Sequence, residues 1–174
     1  MLLINDAEVR EVLAMDDCIE AMQRAIAEET KGVAVSAPRT RYKVQADLDQ
    51  AGYMATIIPG AVPSCDVASM RYASTIVQER VVGGVKRMNF LSPSKRNWDF
   101  VMLFSLQTGE PLALMADYSL SAIRVGATTG VVHRALAKKN AKVVGIFGSG
   151  HQARQSASHY HGPRYRVGES LQQY

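Results

Sequence analysis

The chain has 174 residues, enough for one ordinary domain with a real core and too few for two complete domains of about 100 to 200 residues each. Apolar residues make up 47% of the chain and charged residues 21%, a balance that excludes disordered and fibrous classes. No apolar run approaches the roughly 18 to 20 residues that cross a bilayer, so we expect a soluble, cytoplasmic protein with no membrane partner.

The N-terminal region predicts a short strand followed by two amphipathic helices. The strand covers Leu2–Ile4, and Asn5 with Glu8 three residues on has the spacing of a capping box at the start of the first helix. The second helix is predicted to begin at Asp16 and to end at Gly32, because glycine takes a positive φ without a steric penalty.

Strand patterns dominate the next 80 residues. The predicted strands cover residues 39–45, 53–58, 67–74, 100–106 and 111–115. The second of them should end at Pro59 and Gly60, since both residues interrupt strands. The last two flank a Gln-Thr-Gly-Glu turn and predict a hairpin. Residues 79–96 are predicted to form a long excursion, at most a loose hairpin.

That excursion carries most of the positive charge of the chain. Its charged residues are Glu79, Arg80, Lys86, Arg87, Lys95 and Arg96, giving 5 − 1 = +4, equal to the net charge of the whole chain. A basic loop can bind phosphates or nucleic acid, but this one has a single aromatic residue, Phe90, and no RNA-binding or helix-turn-helix signature. A solvated loop or a neighbour of a cofactor phosphate is therefore favoured over nucleic acid.

Cysteine and histidine usage indicates neither redox chemistry nor a metal site. Cys18 and Cys65 lie in unlike contexts without CxxC spacing, which favours two buried or half-buried thiols over a disulfide. His159 and His161 form an isolated HxH without a third ligand, so no metal is predicted.

A helix is predicted over residues 119–137, capped by Ser119 or Ser121. Gly126 and Gly130 lie within it and lower its intrinsic stability by roughly 1 kcal/mol each relative to alanine. Because they have no side chain, they would permit the close approach of either a packed strand or a ligand. A strand over residues 142–147 follows.

The sequence GSGHQA after this strand fits the dinucleotide fingerprint G-x-G-x-x-G/A. Gly148 allows the tight turn, Gly150 lets backbone N–H groups approach a pyrophosphate, and Ala153 allows helix and strand to pack closely. A simple tight β-α turn is the alternative. The predicted NAD or NADP site comprises Gly148, Ser149, Gly150, His151, Gln152 and Ala153.

This cofactor site is predicted to be incomplete. Glu169 lies near the distance at which an acidic residue binds the ribose hydroxyls, but no strand pattern surrounds it. A single βα unit cannot form the parallel sheet that would bury it.

Several segments together resemble the ornithine cyclodeaminase/mu-crystallin family, from about Leu3 to Arg154. They are Pro38-Arg39, Met70-Arg71-Tyr72, LFSLQTGEPLALMADYSLSAIRVGAT and GIFGSGHQAR. The resemblance implies an α/β fold: an N-terminal α+β substrate and dimerisation domain with a twisted sheet over residues 1–118. Residues 119–174 would be the connecting helix and first βα unit of an incomplete Rossmann domain. A homodimer is implied as well.

The same resemblance implies NAD(P)-dependent chemistry on a small amino acid or imino acid: cyclodeamination, ketimine reduction or amino-acid dehydrogenation, with hydride exchange at the α-carbon. We expect a truncated form with impaired or no activity. A non-catalytic dimerisation module or a small-carboxylate-binding module is the alternative.

The family's substrate-binding residues map onto three arginines. Arg39 and Arg124 match the arginines that hold the substrate α-carboxylate, a task suited to the planar guanidinium fork. Arg71 stands where relatives usually carry lysine; it keeps a positive charge but cannot take part in proton transfer. Relatives place their catalytic aspartate further into the Rossmann domain, so no catalytic residue is identified. Asp117 is interpreted as a residue next to a helix cap.

Overall fold

The computed structural model describes residues 1–48, 51–91, 98–158 and 166–168 of a mixed α/β chain. The strands are β1 (Leu2–Ile4), β2 (Val35–Ser36), β3 (Thr40–Leu48), β4 (Ala51–Val62), β5 (Val67–Val82), β6 (Val85–Leu91), β7 (Phe100–Ser105), β8 (Pro111–Ala116), β9 (Val143–Gly145) and β10 (Arg166–Gly168). The α-helices are α1 (Asp6–Val12), α2 (Met15–Thr30), α3 (Tyr118–Leu136) and α4 (His151–Ser158), and a 3-10 turn covers Pro63–Cys65.

The chain divides into two compact units. The first unit comprises Met1–Asn5 and Gly32–Tyr118, and the second comprises Asp6–Lys31 and Ser119–Tyr174. The predicted fold class is confirmed: the first unit contains a mixed sheet, and the second contains a βαβ unit of the kind that opens a Rossmann domain. None of the described helices is both long and apolar enough to span a membrane.

The sheet of the first unit has eight strands in a branched order. The main path is β1-β8-β7-β5-β4-β2, while β3 also pairs with β4 and β6 also pairs with β5. Every pairing is antiparallel except that of β1 with β8. Strands β4 and β5 pair with each other along one edge. Along its other edge β4 pairs with β3 and then β2, and β5 pairs with β7 and then β6.

The prediction that a strand ends at Pro59 and Gly60 is wrong, because β4 continues to Val62. The pairing of β4 with β2 ends at Gly60, and its pairing with β3 begins at Ile57. Pro59 lies in the gap between these two ladders, where a missing N–H costs little. Its partner on the other side of β4 is Met70.

The described part of residues 79–96 forms a regular hairpin, so the hairpin that the sequence allowed is confirmed and the alternative of an irregular excursion is wrong. Strand β5 runs to Val82 and pairs in regular register with β6 as far as Leu91. Gly83 and Gly84 connect the strands with φ values of 60° and 77°, the positive angles that a two-residue type I′ hairpin turn requires. Residues 92–97, which include Lys95 and Arg96, lie outside the described residues.

The helix over residues 119–137 is confirmed, but its predicted cap is wrong. The helix α3 begins at Tyr118, so Ser119 and Ser121 already lie in its first turn. The carboxylate of Asp6 accepts hydrogen bonds from the Ser119 backbone N–H at 2.8 Å and from its hydroxyl at 3.0 Å. A side chain distant in sequence thus satisfies a backbone donor at the start of α3.

The C-terminal part of the second unit has one strand more than predicted. Strand β9 is followed by the glycine-rich turn, then α4, then β10, and β9 pairs with β10 in parallel. The expectation of no strand next to Glu169 is wrong, since β10 ends at Gly168. Its three residues show no apolar run, so it carries no local strand signal.

Both cysteines are free thiols, as predicted. Cys18 is half-buried, and burial raises the pKa of its thiol. Cys65 is exposed, which corrects the expectation that both thiols are at least half-buried. It lies in the short 3-10 turn between β4 and β5.

Gly126 of α3 meets the backbone of α4 rather than a strand or a ligand. A Cβ added there would lie 2.7 Å from the Gln155 carbonyl oxygen and 3.1 Å from the terminal carbon of Met15. The backbone carbonyl cannot swing away as a side chain would, so α3 needs glycine at this position.

We expect Gly126→Ala to lower the free energy of unfolding by about 1 to 3 kcal/mol, because the overlap outweighs the gain in helix propensity. Urea unfolding followed by circular dichroism measures the change. Gly145→Ala is the matched control, since its Cβ would meet no atom within 4 Å. Equal stability of the two variants would contradict the close approach of α3 and α4.

Candidate functional site

Arg71 on β5 lies between two carboxylates of the first unit. Its Nε donates a hydrogen bond to Oδ2 of Asp117, and its Nη2 donates to Oδ2 of Asp99 at 3.2 Å. Asp99 directly precedes β7, and Asp117 directly follows β8. Strand β7 lies between β5 and β8 in the sheet, so Asp99 before β7 and Asp117 after β8 lie close to Arg71 within β5.

The two carboxylates differ in exposure. Asp117 is 2% exposed, and its backbone N–H donates to the Asp99 carbonyl oxygen at 3.0 Å. Asp99 is partly exposed, and its Oδ1 accepts a hydrogen bond from the Ser74 backbone N–H at 3.1 Å. Two carboxylates and one guanidinium give this cluster a formal charge of −1.

The position of Asp117 before a helix agrees with its interpretation from sequence, but its main observed contact was missed. The sequence places Arg71 and Asp117 46 residues apart, without a local pattern that links them. Asp99 was missed for the same reason, at a separation of 28 residues.

Arg39 lies close to Arg71 in the register of the sheet. It directly precedes Thr40, which pairs with Ile57, and the next residue of β4, Ile58, pairs on its other side with Arg71. The two arginines thus flank one strand, at a backbone separation of about 10 Å if two strand spacings are counted. Arg39 is exposed, and within the described residues its guanidinium makes no hydrogen bond or ion pair.

A further basic residue, Arg41, follows Arg39 at the two-residue spacing that brings side chains to one face of a strand. Its Nε donates to Oγ1 of Thr56 at 3.2 Å, and Thr56 is buried. The sequence analysis did not single out this pair, although the alternation in β3 was the signal that could have found it.

Arg124 lies on α3 in the second unit. Its side chain is exposed and has no hydrogen-bond or ion-pair partner among the residues that the structure describes. Its carbonyl oxygen accepts a bond from the Thr128 hydroxyl at 2.9 Å, an ordinary contact within a helix. The structure thus groups Arg39 with Arg71 in one unit and describes Arg124 in the other.

The glycine-rich turn of the second unit has the geometry that its sequence demands. Gly148 has φ of 108°, which L side chains rarely adopt, and an added Cβ at Gly150 would meet nothing within 4 Å. Ser149 lies between these two glycines in the turn, and the remaining predicted cofactor residues, His151, Gln152 and Ala153, form the first turn of α4. The backbone around Gly150 is therefore accessible to a ligand such as a pyrophosphate.

A cluster of hydroxyl groups occupies the opposite face of the sheet from Arg71. The Tyr72 hydroxyl lies 3.0 Å from that of Tyr42 and 2.8 Å from that of Tyr53, and the Ser74 hydroxyl donates to Tyr53 at 3.3 Å. Hydrogen bonds with Tyr42 and Tyr53 raise the pKa of Tyr72, whereas the Ser74 hydrogen bond lowers the pKa of Tyr53. The Tyr72 ring stacks on Phe100.

The basic hairpin formed by β5 and β6 makes an ion pair with the neighbouring strand β3. Glu79 pairs with Lys43 of β3 at 2.9 Å, and this hydrogen bond lowers the pKa of the Glu79 carboxyl. Arg80 and Arg87 pair across the hairpin, and the Nε of Arg80 donates to the Gln78 side chain. The described histidine, cysteine and acidic residues form no group of three or more that could hold a metal ion.

Comparisons with known proteins give a consistent result. The model of the protein family described as "Ornithine cyclodeaminase/mu-crystallin family" matches residues 1–161 of this chain. A Delta(1)-pyrroline-2-carboxylate reductase of Bacillus cereus is 34% identical over 156 residues, covering 88% of this chain and 43% of that protein. An NAD(P)H-dependent anabolic L-arginine dehydrogenase of Pseudomonas aeruginosa is 27% identical over 86% of this chain and 42% of its own length. The chain thus spans less than half the length of these relatives.

Solved structures share the fold. The Delta(1)-pyrroline-2-carboxylate reductase of Thermococcus litoralis, in complex with NADH and L-proline, superposes with a TM-score of 0.72 at 24% identity, covering 96% of this chain and 47% of that one. A probable ornithine cyclodeaminase of Bordetella pertussis gives a TM-score of 0.70 at 23% identity, covering 96% and 46%.

We expect Arg71→Leu to lower the free energy of unfolding by about 3 kcal/mol, because it leaves the buried Asp117 carboxylate without its cationic partner. Urea unfolding at neutral pH measures the loss. Arg39→Leu is the control and should change stability by less than about 0.5 kcal/mol, as expected for an exposed residue. Similar losses in both variants would contradict the ion pair with Asp117.

Proposed function

Because the chain belongs to the ornithine cyclodeaminase/mu-crystallin family, we propose that it takes part in NAD(P)-dependent chemistry at the α-carbon of a small amino or imino acid. The observation that carries this proposal is the β9–α4–β10 unit, whose glycine-rich turn joins parallel strands through a helix. That arrangement is the phosphate-binding opening of a dinucleotide fold. It supports NAD or NADP as the cofactor.

Residues 148–153 fit the cofactor through their backbone. The turn around Gly148 and Gly150 would present N–H groups to the pyrophosphate, and the N-terminus of α4 would favour its negative charge. When bound, the nicotinamide supplies or accepts the hydride.

The substrate is proposed to be held by its α-carboxylate. Arg39, Arg71 and Arg124 each carry a planar guanidinium that can donate to carboxylate oxygens. Arg39 and Arg124 are exposed, without a partner among the described residues, and so their donors are available. Arg71 contributes an edge that its two aspartates leave unused. Each could contribute to orienting the substrate carboxylate for hydride transfer at the α-carbon.

For a cyclic imine such as Delta(1)-pyrroline-2-carboxylate, the reaction adds a hydride to the imine carbon and a proton to the nitrogen, giving proline. Arg71 remains charged at neutral pH, so it can orient the carboxylate but cannot provide that proton. The described part of the second unit contains one two-stranded parallel sheet. We therefore expect weak or no turnover by the 174-residue chain, with carboxylate binding retained.

Calorimetric titration of the purified chain with L-proline tests this proposal. We expect saturable binding that Arg39→Met and Arg124→Met each weaken about tenfold or more, the effect of losing a charge-assisted hydrogen bond. Arg24→Met removes an exposed arginine of α2 and should bind as the unaltered chain does. Assays with NADH or NADPH and the cyclic imine separate turnover from binding alone. Absence of saturable binding would overturn the proposed function.

The proposal includes a homodimer formed through the sheet of the first unit. Tyr42 and Val44 are 44% and 55% exposed on the face that carries the hydroxyl cluster. An apolar and aromatic sheet face of this kind is suited to burial against a second copy.

Light scattering should give twice the chain mass of 19.0 kDa. We expect Val44→Arg to shift the mass toward the monomer, because a charge buried in the interface lacks a partner. Val132→Arg introduces the same charge at an exposed position of α3 and should leave the dimer intact. A monomeric chain would refute this part of the proposal.

A further inference from the structure

We infer that Asp99 and Asp117 are positioning residues, which hold the guanidinium of Arg71 in a fixed orientation for a substrate carboxylate. The inference rests on the proposed function and adds two residues to it. A guanidinium has five N–H donors. Asp117 accepts from Nε and Asp99 from Nη2, and Arg71 makes no other side-chain hydrogen bond within the described residues. Both N–H groups of Nη1 are therefore available to a ligand.

Two hydrogen-bonded carboxylates restrict the guanidinium of Arg71 more than one carboxylate could. A single carboxylate on Nε would still let the guanidinium plane tilt about that bond, whereas the second one on Nη2 fixes the plane. The anchors are themselves constrained: Asp117 is buried, and Asp99 accepts a bond from the Ser74 backbone. A side chain that is ordered before binding loses less conformational entropy when the ligand arrives.

If Asp99 acted only through its charge, its removal would change carboxylate binding in the opposite direction from the one that positioning of Arg71 predicts. The cluster carries a formal charge of −1, so removing the charge of Asp99 should strengthen the binding of any anion nearby. If Asp99 acts by orienting Arg71, the same substitution should weaken carboxylate binding. The sign of the change therefore separates positioning from simple electrostatics.

The first measurement needs no ligand. In the ¹⁵N-labelled 174-residue chain, the Nε–H proton of Arg71, assigned by its loss in Arg71→Lys, should exchange with water at least tenfold more slowly than that of the exposed Arg24. Asp117→Asn should abolish this protection, and Asp99→Asn should preserve it. Exchange of Arg71 as fast as that of Arg24 would overturn the inference, whatever the chain binds.

The second measurement is the affinity for L-proline. We expect Asp99→Asn to weaken binding roughly five- to tenfold, through loss of a charge-assisted contact that orients Arg71. Glu79→Gln is the control: it removes a carboxylate paired with Lys43 in the same sheet and should leave the affinity unchanged. Prolinamide lacks the carboxylate, so Asp99→Asn should not weaken its binding.

The outcomes distinguish the two proposals. Tighter or unchanged binding of L-proline by Asp99→Asn would overturn positioning while leaving the proposed function intact. No binding of L-proline by the unaltered chain would overturn the proposed function, and the exchange of the Arg71 proton would still decide whether Asp117 holds the side chain. Slow exchange together with weaker binding by Asp99→Asn supports the inference.

Discussion

The buried Asp117 carboxylate constrains how the strands of the first unit pair. A buried carboxylate is costly unless it is paired and hydrogen-bonded, and Arg71 is the cationic partner that the structure provides. The pair joins the middle of β5 to the end of β8, and Asp99 adds the start of β7. The register of these three strands is thereby linked to one charge cluster. A slip of β5 by one residue would move Arg71 to the opposite face of the sheet and break its ion pair with Asp117.

The same cluster shows what an arginine at position 71 can do that a lysine could not. Lysine has a single ammonium on a flexible stem, and its donors diverge from one nitrogen. Arginine presents separate edges, so Arg71 can contact Asp117 and Asp99 at once and keep Nη1 for a ligand. Because two carboxylates offset its charge, any role that Arg71 has in the proposed carboxylate binding would depend on its orientation rather than on net charge.

Sequence patterns predicted the elements whose signals are local. The hairpin of β7 and β8 was found because its turn residues lie between two apolar runs, and Gly109 takes the positive φ that such turns favour. The continuation of β4 through Pro59 was missed, since it depends on a gap between two neighbouring strands. Strand β10 was missed because its strand character comes from pairing with β9 and not from its own composition. The partners of Arg71 were hidden by separations of 28 and 46 residues.

The sequence allowed the structure around some candidate site residues to be predicted, but not the surroundings of others. The fingerprint around Gly148 follows from local backbone requirements, so its turn and the helix after it could be predicted from sequence. An arginine's role depends on what neutralises it, and this is a property of the folded chain. Arg39 is exposed without a described partner, whereas Arg71, two strand positions away, is held by two carboxylates. Two arginines that look alike in the sequence therefore differ in the fold: two aspartates hold Arg71 in one orientation, whereas the exposed Arg39 keeps more side-chain freedom.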